Sequence, residues 1–477
     1  MIVDLLILFP LLTGLICFLY QSSSVAKSHA LWSSVATLII AVLCCTTNGT
    51  MNFHAEWLPM LGSSFSLSMD GMSKMLCLLT AIAFPITFVA TYKNEYSKPG
   101  NFYALMLLMQ AGLMGVFLAS DALVFYFFWE LALIPAYFLC SQWGGEKRIA
   151  VTFKFFIYTF VGSLLMLVGI LFLYFKNPEH SFALQSFYHI KLTHGQQYFG
   201  FWLFFIAFAI KMPIFPLHTW QPDTYEQSPT AVTMILSGVM VKMGLYGVIR
   251  WLLPMFPDAV SKFGNVVILF SVIGMIYASL IAIKQDDVKR LIAYSSIAHI
   301  GLMCAAIFTK QQMAMDGVMI QMFNHGIVVI GLWIVADMIE QQLGTRKFSE
   351  LGGMAQKAPA LAILFVIMAL ANIALPLTNS FIGEFLMFNG LFRYNFWMAA
   401  FAGISIILAA VYTLNAVQKI FYGNTAKLTD KAVDGDLSVQ LPLVILVIVV
   451  IFFGVYPQPM LQLTHETAKA VIALVSK

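Results

Sequence analysis

Six ionisable side chains stand in stretches too apolar to be ordinary loops. They are Glu130 in FYFFWELALIPAYFL, Lys211 in AFAIKMPIFPLHTW, Lys242 in ILSGVMVKMGLYG, His299 in AYSSIAHIGLM, His325 in QMFNHGIVVIG and Glu384 in ALPLTNSFIGEFLMF. A charge held in hydrocarbon costs a few kcal/mol or more, so each should face the interior of a bundle or a wet cavity and have a partner. A lone intramembrane histidine is more often a hydrogen-bonding group between helices than a proton carrier. A mid-span Glu or Lys is harder to account for as packing, because neutralising it also costs free energy. Two acids and two bases at the same depth can compensate one another, and the chemistry open to such a set is reversible proton binding.

The backbone around these residues carries a second signal. Pro213 and Pro216 follow Lys211, and proline removes a donor and clashes with the preceding turn, which predicts a break just after the lysine. Irregular backbone at membrane depth survives only beside protein or a wet cavity, so the ammonium should adjoin a polar pocket. Pro376, followed by Leu-Thr-Asn-Ser, predicts a second break upstream of Glu384. That apolar segment, 358–389, would run to about 48 Å as one helix, too long for a straight crossing. Paired interrupted helices point to an ion-handling site built from repeated units.

The elements that position these groups follow from composition. With 60% hydrophobic and 10% charged residues among 477 and a mean hydropathy of +0.86, the chain reads as an all-α, polytopic membrane protein. Apolar runs about 20 residues long give about 14 transmembrane helices, the seventh at 198–218, the eighth at 230–253 and the twelfth at 358–389. By position, spans 4–8 and 9–13 would form two inverted five-helix repeats with helices 7 and 12 broken. The expected organisation is one bundle over 1–477. Its parts are helices 1–3 (1–101), a first half (102–253), a second half (264–422), and a last helix and tail (438–477). The loops at 47–71 and 176–197 read as too short and mixed to fold alone. Lys27, Lys93, Arg148, Lys289, Arg290 and Arg346 collect on one side, which is then cytoplasmic and leaves both termini on the outer face. The net charge of +4 is small for this length and gives no reason to expect nucleic acid; the partners are lipid and other membrane proteins. Six cysteines lack metal-ligand spacing, and neither a glycine-rich dinucleotide turn nor a haem motif occurs, so no bound cofactor is expected.

Three stretches carry a family resemblance: IKMPIFPLHTWQPDTYEQSPTAVTMILSGVMVKMGLYG (210–247), FFWELALIPAYF (127–138) and IKQDDVKRLIAYSSIAHIG (283–301). They resemble the antiporter-like subunits of respiratory complex I, which in turn resemble subunits of multi-subunit Na+/H+ antiporters, and the likeness spans essentially the whole chain. An acid in the twelfth span, the place of Glu384, is characteristic of the M type, the bacterial counterpart of mitochondrial subunit 4. The resemblance implies a non-redox subunit of a proton-translocating NADH-quinone oxidoreductase in the bacterial inner membrane. NADH, flavin, iron-sulfur clusters and quinone would belong to partner subunits, with N-like and L-like neighbours. Glu130 and Lys211 would be the interacting acid and base of a first half-channel, with Lys242 as the central lysine. His299 and His325 would continue the polar axis to Glu384, the terminal site of the second half-channel. His218 also resembles a family residue, although its place at the membrane edge suits a structural role equally. Asp286, Asp287 and Arg290 read as helix-capping and anchoring groups. The family usually has glycines in the twelfth-span break, where this chain has Leu377 and Asn379. Competing readings are a Na+/H+ antiporter subunit, a membrane-bound hydrogenase subunit and a non-pumping scaffold.

Overall fold

The structure, a computed structural model, describes residues 2–475; residues 476–477 of the expected tail lie outside the described residues. Two helices, α1 (Ile2–Cys17) and α2 (Ser23–Thr46), lead into an antiparallel hairpin of β1 (Met51–Leu58) and β2 (Ser63–Met69). The hairpin corrects the purely helical expectation. Polar and apolar residues alternate along both strands, Gly62 closes the turn at φ +69°, and Phe53 pairs with Leu67. Leu67 and Met69 are buried, so one face packs on the bundle as period-two alternation dictates.

The helices α3 (Gly71–Ala90), α4 (Pro99–Leu118), α5 (Ala122–Trp143) and α6 (Arg148–Lys176) follow. Asp70 caps α3 by accepting from Ser73 N at 3.1 Å, and Asp121 caps α5 through Leu123 N at 2.9 Å. After the short α7 (Leu184–Tyr188) come α8 (His194–Lys211), α9 (Trp220–Gln227) and α10 (Thr230–Met255). The second half holds α11 (Pro257–Ile283), α12 (Val288–Phe308), the 32-residue α13 (Gln312–Leu343), α14 (Pro359–Asn372), α15 (Asn379–Tyr394) and α16 (Phe396–Phe421). The chain ends with α17 (Leu437–Val455) and α18 (Gln458–Val475).

Among the described residues, 11 helices are long and apolar enough to cross a membrane. The other three expected spans are the 16-residue α1 and the two interrupted segments, each shortened by its break. Within 198–218 the helix stops at Lys211 and residues 212–219 are irregular; within 358–389 the gap is 373–378. α10 and α13 are buried over their whole apolar windows, whereas α16 and α17 are only 28% buried over theirs. The core therefore runs along α10 and α13, the helices that carry Lys242 and His325, and the outer helices present apolar faces as lipid requires.

Candidate functional site

The break after Lys211 forms as the prolines dictate. Ile214 N bonds Ala209 O at 3.1 Å, and the indole of Trp220 donates to Ile210 O at 3.0 Å. A carbonyl freed by the break is thus taken up by a side chain just beyond it. Lys211 is the last residue of α8, where the helix dipole favours a cation. It is 2% exposed, its Nζ has no hydrogen-bond partner, and it lies 5.6 Å from the ring centroid of Trp129. That contact is a cation–π arrangement in a desolvated setting. Glu130 is the next residue along α5, half-buried, with Oε1 also unpartnered. Among the described residues no ion pair within 4.0 Å joins Glu130 to Lys211. The two lie within electrostatic reach of each other without forming a close ion pair.

Lys242 sits on α10 between two π turns, Leu236–Met240 and Val248–Leu252. Widened turns of this kind recur at functional sites because they re-aim side chains and alter carbonyl pairing. The buried Nζ of Lys242 donates to Ser237 O at 2.9 Å and lies 2.8 Å from His325 Nδ1. Two glycines make these contacts sterically available. A Cβ on Gly244 would meet Met212 N at 2.7 Å, so the residue after Lys211 touches the helix of Lys242. A Cβ on Gly326 would meet Gly238 O at 2.7 Å, so α13 approaches α10 backbone to backbone beside the Lys242–His325 contact.

The row continues. The His325 and His299 ring centroids are 5.6 Å apart, and His299 Nδ1 lies 3.0 Å from Glu384 Oε1. His299 Nε2 is buried without a partner. Beside this pair a cavity of about 20 Å³, room for about one water, is lined by His299, Glu384, Asn372 and Tyr412. Asn372 Nδ2 donates to Ser295 Oγ at 3.1 Å and Thr413 Oγ1 at 3.2 Å, and Tyr412 donates to Ser295 Oγ at 3.0 Å.

Four of the six expected residues (Lys242, His325, His299 and Glu384) therefore form one buried row, and Met212, the residue after Lys211, packs against Gly244, two residues beyond Lys242. Glu130 stands apart from the row. His218 is buried in the irregular segment against Tyr277, with centroids 5.3 Å apart, and is not part of the row. Asp287 caps α12 by accepting from Arg290 N at 3.0 Å, as expected. Arg290 goes further and ties α12 to α9 through Asp223 at 3.1 Å and Glu226 at 2.7 Å.

Comparison with known proteins places this arrangement. The family described as NADH:quinone oxidoreductase/Mrp antiporter, TM, matches residues 119–410, from α5 to α16. The NADH-quinone oxidoreductase subunit M of Rhodobacter capsulatus is 35% identical over 451 residues, 91% of this chain and 87% of that one. The chain belongs to the subunit M family of NADH-quinone oxidoreductases. A chain in the structure of respiratory complex I from Thermus thermophilus with bound NADH superposes with a TM-score of 0.93 at 28% identity, covering 100% of both chains. A chain of the Mrp complex from Dietzia sp. DQ12-45-1b shares the fold, with a TM-score of 0.87 at 19% identity over 99% of each.

For this family member, the structure adds polar residues that sequence reasoning passed over. Ser295, Asn372, Tyr412 and Thr413 form the network beside Glu384, and Asn324 and Asn379 bond each other across α13 and α15 at 3.1 Å. The signal was present: Asn372 interrupts MALANIALPL, and Asn324 directly precedes His325. Neutral amides that bridge helices stand out less in an apolar run than ionisable groups do.

Proposed function

We infer that this chain is a proton-translocating membrane-arm subunit of an NADH-quinone oxidoreductase, coupled to quinone reduction carried out elsewhere in the complex. The observation that carries the reading is the buried row Lys242–His325–His299–Glu384, whose members lie within hydrogen-bond or one-water reach of the next. A lysine ammonium can give its proton to His325 Nδ1. The imidazole then releases the opposite N–H towards His299 Nε2, through a water across the wider gap, and His299 Nδ1 passes a proton to Glu384. Each hop leaves the donor neutral or ready to be refilled.

In this reading Glu130 and Lys211 act as the switch. At about 5 Å and an effective dielectric constant near 20 such a pair interacts by roughly 3 kcal/mol, against about 2.3 kcal/mol to move one charge across 100 mV. The magnitudes match, so separating or closing the pair can alter Lys211 protonation enough to drive a proton against the field. The absence of a close ion pair supports an open state of that switch.

The finer architecture belongs to the same proposal. The chain would cross the membrane 14 times as one bundle, with spans 4–8 and 9–13 as inverted repeats and both termini on the outer face. The segments 1–101, 102–253, 264–422 and 438–477 serve as its parts. N-like and L-like subunits would flank it, and flavin, iron-sulfur clusters and quinone would be held by partners. Supporting the repeat reading, both breaks follow a half-helix that ends in the same wide hydrogen bond, Ile214 N to Ala209 O and Leu375 N to Leu370 O at 3.0 Å.

The test uses the assembled complex. Lys242→Ala should lower the protons moved per electron pair while NADH oxidation by an artificial acceptor persists. Glu130→Gln should depress coupled turnover in the same pattern. Full pumping by Lys242→Ala would refute the central step.

A further inference from the structure

Among the described residues, two buried acids lie outside the row, and one of them, Asp121, is taken up by Ser63, Ser64 N and Leu123 N at the start of α5. Asp337, near the C-terminal end of α13, is 6% exposed, and its Oδ2 accepts from Asn94 Nδ2 at 3.2 Å. Among the described residues it enters no ion pair. Glu340, one turn later, is by contrast committed to Lys289 at 2.5 Å and Arg346 at 3.1 Å. Asp337 also lines two cavities of about 320 Å³ each, both opening among the basic loops. One is shared with Thr230, Glu340 and Arg346, the other with Asn94, Met234 and Asp434. Each has room for several waters.

From Asp337 a line of hydroxyls climbs α10 towards Lys242. Thr230 borders the same cavity as Asp337. Thr233 lies one turn on, and Ser237 one turn beyond that, with its Oγ bonded to Thr233 O at 2.8 Å. In a regular α-helix residues five apart point in different directions. The π turn changes that spacing: Val241 N bonds Leu236 O, and Lys242 Nζ reaches back to the backbone carbonyl of Ser237 at 2.9 Å. Thr230 to Ser237 spans about 10 Å of helix, which a few waters and hydroxyls can bridge.

We propose that Asp337 is the proton-accepting carboxylate at the mouth of the Lys242 row, loading it from water on the basic-loop side by way of Thr230, Thr233 and Ser237. This rests on the pumping function proposed above. The step moves one proton and no electrons. A hydronium in the cavity protonates Asp337, and the acid O–H then breaks as a new O–H forms on the adjacent water or hydroxyl. Each relay oxygen passes on its own proton, and the last becomes an N–H of the neutral Lys242 amine. Asp337 suits this task because no cation bonds it directly: the nearby Lys289 ammonium is paired to Glu340 instead.

The experiment compares Asp337→Asn and Asp337→Glu in membrane vesicles holding the assembled complex, reading proton uptake and electron flow together. Asp337→Asn should slow coupled proton uptake by about tenfold or more, and Asp337→Glu should restore most of it, which a merely structural role would not give. Unchanged uptake in Asp337→Asn, or equal loss in both variants, overturns the proposal. Should Asp337→Asn reduce the amount of complex, Thr233→Val keeps the shape of the relay and removes its hydroxyl. Slowed uptake there supports the path and normal uptake overturns it. If Lys242→Ala abolishes pumping while the Asp337 and Thr233 variants pump normally, the entry is elsewhere and the pumping function stands. If Lys242→Ala also pumps normally, that function itself fails.

Discussion

The two broken helices share a backbone device and differ in what they hold. Each first half-helix ends in an i→i+5 hydrogen bond, after Lys211 in one and Asn372 in the other. At the first break the terminal residue is a cation without a hydrogen-bond partner, within electrostatic reach of Glu130 but not in a close ion pair with it. At the second, the terminal residue is a neutral amide satisfied by Ser295 and Thr413, and the acid Glu384 is already 3.0 Å from His299. A break alone therefore does not make a charged site. It opens room for polar groups, and the side chain at the end of the half-helix decides whether that room stores an unbalanced charge or a completed network. Unbalanced charge is costly to keep and easily moved, which suits a switch; a satisfied network is stable and suits conduction.

Substitutions at the two equivalent ends sharpen this contrast. Removing the cation with Lys211→Met should have the larger functional effect, lowering coupled proton translocation by about tenfold or more while the assembled complex stays at normal abundance, since no hydrogen bond is lost. The check is the ratio of proton to electron flux in vesicles. Asn372→Ala should do the reverse. It removes the amide that donates to Thr413 and to Ser295, leaving Ser295 only its bond from Tyr412, and should cost about 1–3 kcal/mol of stability, seen as a lower melting temperature, with translocation changed less than by Lys211→Met. If both substitutions lowered pumping equally with no loss of stability in Asn372→Ala, the distinction between the two breaks would be wrong.

Much of this site was legible in the sequence because buried charges and prolines are rare enough in apolar runs to stand out. The break after Lys211 and the depth of Lys242, His325 and Glu384 follow from that rarity. Contacts between distant residues were not legible: Lys242 and His325 are 83 positions apart, and their meeting depends on Gly238 and Gly326 letting two backbones approach. The π turns around Lys242 have no residue signature. The sequence marks the second break by Pro376 and by Leu377 and Asn379 in place of glycines. The structure puts positive φ on Ala374 (53°) and Leu377 (75°), while Asn379 begins α15. A β-branch-free Ala and an exposed Leu take that strain, at a cost of about 1–2 kcal/mol per residue. The hairpin was missed because 47–71 was judged by length, although the alternation in MNFHAEWL and SSFSLSM announces two strands.

Passage of protons from the α10 lysine to the α15 glutamate demands that each of the two imidazoles between them be indispensable, so His325→Ala, which removes the one bonded to Lys242, is the direct measurement in the assembled complex. The protons moved per electron pair should fall as far as in Lys242→Ala, and the double variant should fall no further, because the two groups act in series. A His325→Ala complex that pumps at the full ratio, or a double variant whose losses add, would contradict a single row.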